Sequence, residues 1–167
     1  FASLRIVWWS VSLGGYSVHY DGQTWLPATS GTTQALYSVW GDSSGLWAVG
    51  QMGTVLRYLT TTKTWAAASP APAVTATLYG VWAQSSTAVY AVGAAGTIVK
   101  FDGTSWTTQS SGTTANLYGV GGDAAQVYAV GDGGGVIQKL TGVTWATTNT
   151  PAGQTLNSVF SPSAGQY

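Results

Sequence analysis

The sequence contains no cysteine and no glutamate. Without cysteine there is no disulfide framework, and no thiolate can bind a metal or act as a nucleophile. Without glutamate, the side-chain carboxylates are five aspartates: Asp21, Asp42, Asp102, Asp123 and Asp132. Charged residues make up only 6% of the chain, against about 25% in an ordinary soluble domain. The formal net charge is zero. That gives no electrostatic footprint for nucleic acid or for an anionic membrane surface. No apolar run approaches the roughly eighteen residues of a membrane-spanning helix, so membrane insertion is not expected. A surface this poor in charge must be solvated by Ser, Thr, Asn, Gln and backbone. Such composition is common in secreted and envelope proteins of bacteria, and the expected location is secreted, cell-surface or periplasmic. The chain begins at Phe1 rather than Met, which reads as a mature form or a fragment.

What the sequence does have is a repeat. Leu36-Tyr37-Ser38-Val39-Trp40-Gly41 returns as Leu78-Tyr79-Gly80-Val81-Trp82-Ala83, then as Leu117-Tyr118-Gly119-Val120-Gly121-Gly122. A fourth copy reads Leu156-Asn157-Ser158-Val159-Phe160-Ser161. The leading leucines are 42, 39 and 39 residues apart. A second element ends in Ala-Val-Gly at Ala48-Val49-Gly50, Ala91-Val92-Gly93 and Ala129-Val130-Gly131, and Trp8 to Ser12 fits the same slot less well. A third runs from Gly15, Gly53, Gly96 and Gly135 to Tyr20, Tyr58, Phe101 and Leu140. A fourth contains Trp25, Trp65, Trp106 and Trp145.

Each unit therefore reads as four short strands, rich in Val, Tyr, Trp, Ile and Thr and separated by Gly, Asp or Ser. Asp21-Gly22 and Asp102-Gly103 mark tight turns between the third and fourth strands. The Ala-rich stretch from Ala66 to Ala76 is broken by Pro70 and Pro72, so no helix is expected there. In Leu78-Tyr79-Gly80-Val81-Trp82 both faces are apolar or small, which is the pattern of a strand covered on both sides. The third strand is more polar, with Arg57, Lys100 and Lys139, as expected farther from a common centre. Tandem four-stranded antiparallel sheets stacked face to face, with a period of about forty residues, predict an all-β fold: a β-propeller.

The expected organisation is a single propeller domain over residues 1–167. Its repeats fall at approximately 1–35, 36–77, 78–116 and 117–155, and residues 156–167 complete the first blade. Two closures are open. One is a four-bladed ring in which Leu156 to Phe160 supplies the missing first strand of the N-terminal unit. The other is an arc of a larger propeller.

The stretch from Gly93 to Trp106, followed by Ser111-Gly112-Thr113 and Leu117-Tyr118-Gly119-Val120, resembles the repeat of photosystem II assembly-factor-like propellers and of the broader Asp-box propellers. The resemblance runs repeat by repeat along nearly the whole chain. It implies a propeller in which the Asp of an Asp-Gly-x-Thr-Trp corner caps a turn and the Trp packs between strands. The corner reads Asp21-Gly22-Gln23-Thr24-Trp25 and Asp102-Gly103-Thr104-Ser105-Trp106, one residue shorter than the usual box. The segments Leu59–Trp65 and Leu140–Trp145 lack the Asp.

Some propellers of the Asp-box type are sialidases, whose sites use three arginines, a tyrosine nucleophile and a glutamate partner. This chain has two arginines, Arg5 and Arg57, and no glutamate. A two-carboxylate glycosidase needs paired acids, and most of these aspartates adjoin glycine in turns, where capping is the expected role. His19 is the sole histidine, with no second ligand or triad partner in a recognisable motif. Asp132-Gly133-Gly134-Gly135 lacks the Lys-Ser/Thr of a phosphate loop and reads as a hairpin. No enzyme activity, metal or cofactor is expected.

The candidate ligand-binding residues are instead Trp40 and Trp82, at the end of the first strand of their units, with Asp42 and Asp123 in the loops that follow. The other two copies carry Gly121 and Phe160 at the Trp position. Such an aromatic at a propeller mouth either packs between blades or stacks on a sugar ring. The expected function is a non-catalytic extracellular or cell-envelope scaffold that binds a protein partner or associates with itself. The alternative is a lectin-like module that binds glycans.

Overall fold

The computed structural model describes residues 8–42, 45–69, 71–133, 137–148 and 153–161. The described chain is all-β apart from three single-turn 3-10 helices. Sheet 1 is formed by β1 (Trp8–Val11), β2 (Ser17–Tyr20) and β3 (Trp25–Ala28). Sheet 2 contains β4 (Leu36–Asp42), β5 (Gly45–Gly50), β6 (Val55–Leu59) and β7 (Thr64–Ala67). Sheet 3 contains β8 (Leu78–Ser85), β9 (Ala88–Gly93), β10 (Ile98–Phe101) and β11 (Trp106–Gln109). Sheet 4 contains β12 (Leu117–Gly122), β13 (Val127–Gly131), β14 (Ile137–Thr141) and β15 (Thr144–Thr147). Every sheet is an antiparallel meander with neighbouring strands in chain order. No helix among the described residues is long and apolar enough to cross a membrane.

The repeat positions are structurally equivalent. Leu36, Leu78 and Leu117 pair with Gly50, Gly93 and Gly131. In each case the residue after the leucine (Tyr37, Tyr79 or Tyr118) is skipped in the register, a β-bulge at the start of the strand. The first strands β4, β8 and β12 touch one another in succession, so they lie innermost and the later strands fan outward.

Side chains from consecutive sheets form the cores. One cluster joins Trp47, Val49 and Val55 of sheet 2 to Leu78, Val81, Val99 and Trp106 of sheet 3. A second joins Tyr90, Val92 and Ile98 of sheet 3 to Leu117, Val127 and Trp145 of sheet 4. The fourth-strand tryptophan of each later sheet reaches back to the second-strand aromatic of the sheet before it. Trp65 meets Trp9, Trp106 meets Trp47 and Trp145 meets Tyr90, all edge-on at ring separations of 5.2, 5.6 and 6.0 Å. Trp65, Trp106 and Trp145 are 5, 9 and 4% exposed, whereas Trp25 of sheet 1 is 51% exposed. The other face of each second-strand ring is covered by its cross-strand partner. Arg57 lies over Trp47, Lys100 over Tyr90 and Lys139 over Tyr128. His19 takes the same place against Trp9, stacked at 5.0 Å.

No closed ring is present among the described residues. Sheet 1 has three strands, and residues 153–161 form none. Leu156 N–H donates to the Gly131 carbonyl just as Leu36 N–H donates to the Ser12 carbonyl. Gly119 approaches Ser158 as Gly80 approaches Tyr118 and Gly119. The segment thus enters the innermost place of a next blade beyond sheet 4, and sheets 1 and 4 share no extensive contact. Packing against sheet 4 sets the place of this segment: the Gly119 backbone closes to contact distance with Ser158, as the Gly80 backbone does with Tyr118.

Candidate functional site

The innermost strands present two ends. Trp40 and Trp82 lie toward the end near the first hairpin of each sheet. Trp40 pairs across the strands with Trp47 and packs on the core between sheets 2 and 3. Trp82 pairs with Tyr90, stacks on it at 6.4 Å and 23°, and packs on the core between sheets 3 and 4. Both are half-buried, so each ring lies between blades with part of its surface in solvent. At the equivalent place in sheet 4, a Cβ on Gly121 would fall 2.8 Å from the Val159 carbonyl oxygen. The aromatic is absent there because the next segment's backbone occupies its space.

Asp123 sits in the β12–β13 turn. Its Oδ1 accepts from the N–H groups of Ala125 and Gln126 at 2.8 and 2.9 Å. These two bonds hold its carboxyl below the usual carboxylate range. Gln84 Nε2 donates to the Asp123 carbonyl at 2.8 Å, which ties the strand carrying Trp82 to this turn. The Asp42 backbone pairs with Gly45; its side chain lies outside the described residues. Asp21 and Asp102 cap in the same way, on the N–H groups of Gln23 and Thr24 and of Thr104 and Ser105. The Asp102 carboxyl is held far below its ordinary value by the Ser105 and Thr104 N–H groups and the Thr104 hydroxyl. Among the described residues no three metal-binding side chains cluster. The hairpin at Asp132 to Gly135 lies partly outside the described residues.

The opposite end carries a feature that the strand alternation does not reveal. The bulged tyrosines form a row from blade to blade. Tyr37 and Tyr79 are 5.7 Å apart by ring centroid, and Tyr79 and Tyr118 are 5.2 Å apart. Tyr37 is 42% exposed, and the other two are half-buried. At the end of the row, the Tyr118 hydroxyl donates to Asp132 Oδ2 at 2.7 Å. Asn116 Nδ2 donates to the same oxygen at 3.1 Å, and the Thr155 hydroxyl donates to Oδ1 at 3.1 Å. These donors, led by Tyr118, lower the Asp132 pKa, and the same bond raises that of Tyr118. The signal was present in the sequence as the recurring Leu-Tyr pair. Strict alternation assigns that tyrosine to a covered face, and only the bulge turns it into a row. The arrangement offers stacked rings and one ionised carboxylate.

A meander of antiparallel sheets fanned about inner strands, with side chains interleaved between consecutive sheets, is a β-propeller. Solved structures with this fold include those of YCF48. YCF48 bound to D1 peptide superposes with a TM-score of 0.69 over 93% of this chain and 54% of that chain, at 17% identity. YCF48 from Cyanidioschyzon merolae gives a TM-score of 0.60 over 75% of this chain and 45% of that chain, at 18% identity. The chain therefore spans about half the length of the solved structures it matches. No protein-family model and no curated protein matches the sequence. The fold shared with these structures is the β-propeller.

Proposed function

We propose that this chain is a non-catalytic protein-binding propeller, an assembly scaffold that holds an extended peptide segment of its partner on the inner rim. The observation that carries this reading is the likeness over 93% of the chain to YCF48 bound to D1 peptide. The partly exposed tyrosine row supplies a matching surface. The blades form an arc of a larger propeller, a reading supported by the step of Leu156 onto the place of a next blade. The setting is the cell envelope or the exterior, which fits the low charge.

Fluorescence anisotropy with labelled D1 peptide tests the function. Saturable binding that weakens with Tyr37→Ala and Tyr79→Ala is expected. No binding to D1 peptide, together with no binding on an array of unrelated extended peptides, would defeat it. Small-angle scattering tests the arc, and a profile matching a closed four-bladed disc would overturn that part.

A second reading, glycan binding, is favoured by one observation. Two clefts of about 640 Å³ repeat in sheets 1 and 3, lined by Ser30 to Thr33 and Ser111 to Thr114 and by no charged side chain. Tyr16 adds an aromatic platform to the first. A glycan array without binding, or binding unchanged by Tyr16→Ala, would remove this reading.

A further inference from the structure

We propose that the tyrosine row is selective for a cationic partner: it docks an extended peptide that carries an Arg or Lys side chain, whose charge seats beside Asp132. The inference rests on the protein-binding reading above and deepens it by naming the chemistry of the segment bound.

Each of three consecutive blades contributes one ring at the same bulge, and the rings touch in sequence. An extended peptide advances about 3.3 Å per residue, so a short segment lies along all three. The face of a tyrosine ring carries partial negative charge and attracts a cation. At the end of the row Asp132 adds a full negative charge. Its Oδ2 receives Tyr118 and Asn116, and its Oδ1 receives Thr155. A carboxylate has about four acceptor positions, so one remains for an incoming donor.

The groups that hold this carboxylate ionised are hydroxyls and an amide, with no cation among them. Of the five basic residues, Arg57, Lys100 and Lys139 each lie over an aromatic ring of their own sheet. Among the described residues no cation pairs with Asp132. A neutral sugar would use the ring faces and leave the charge unanswered; a guanidinium or ammonium answers both.

The test uses fluorescein-labelled pentapeptides with a central Arg, or with citrulline as its neutral isostere, titrated with the 167-residue chain. The Arg peptide is expected to bind about tenfold more tightly, the combined effect of one exposed ion pair and one cation–π contact. Asp132→Asn should shrink the preference to about threefold, the part the tyrosine rings supply, because the amide keeps the shape and loses the charge. Tyr37→Ala removes a ring that is 42% exposed and should weaken both peptides without unfolding the chain, as circular dichroism would verify. Equal binding of Arg and citrulline peptides would overturn the inference while leaving the protein-binding reading standing. A preference that survives undiminished in both Asp132→Asn and Tyr37→Ala would also overturn it. Failure of both pentapeptides and of D1 peptide would remove the two readings together.

Discussion

Gly93 has ordinary extended backbone, with φ at −167°, yet no side chain fits there. A Cβ on Gly93 would lie 2.0 Å from the Thr77 carbonyl oxygen, and one on Gly50 would lie 2.0 Å from that of Ala35. The Gly of each Ala-Val-Gly element is thus explained by contact rather than by conformational freedom. Gly93→Ala should lower stability by about 3 kcal/mol, the cost of forcing atoms into a packed site, read from the urea midpoint. The aspartate turn caps carry a second prediction at this scale. The folded Asp102 carboxyl sits below its unfolded value. It therefore contributes stability that is fully present above the unfolded pKa and is lost as pH falls through the folded one. Asp102→Asn keeps an acceptor for the turn but cannot titrate. Its urea midpoint should fall less steeply than that of the unsubstituted chain between about pH 4 and pH 2; equal slopes would refute the assignment. Turn capping was legible in the sequence at Asp21 and Asp102 because glycine follows each. Asp123 was read both as a turn cap, like the other aspartates, and as a candidate ligand residue, because its loop follows the first strand; its carboxylate caps the N–H groups of Ala125 and Gln126.

Among the elements, the fourth strand shows how far repetition can be trusted. Trp25, Trp65, Trp106 and Trp145 occupy one position of the repeat and read equally as core. Three are buried and Trp25 is half-exposed. The difference lies in the neighbour: each buried ring rests on an aromatic of the preceding sheet, and sheet 1 has no such sheet before it among the described residues. Trp106→Ala should therefore cost about 3–5 kcal/mol, and Trp25→Ala less than about 1 kcal/mol, both measurable by urea denaturation. Comparable losses at the two sites would show that the rings serve their own sheets instead of bridging to the one before. Strand order and pairing were legible because each strand is short and bounded by Gly or Asp. The bulge that builds the tyrosine row was not, because a one-residue irregularity leaves the pattern of residue types unchanged.

Across the whole molecule, burial is uneven. Leu78, Val89, Ala91, Val92, Ile98 and Val99 of sheet 3 are all fully buried, because that sheet is covered on both faces. Hydrogen exchange should accordingly be slowest in β8 to β10 and fastest in sheet 1, since protection follows local burial and contact. Slowest exchange in β1 or β2 would contradict the order of packing described here. A propeller was legible from period and composition, whereas its closure was not. Residues 156–160 carry the right sequence for an inner strand, but sequence does not say which sheet they meet. The handing of each tryptophan to the sheet before it has a consequence for how such chains grow. A duplicated unit arrives with half of its seam on its leading side and the other half on its trailing side, like overlapping roof tiles. Lengthening the array by one blade requires no new interface to be invented, so blade number can drift in evolution while the joint between blades stays the same.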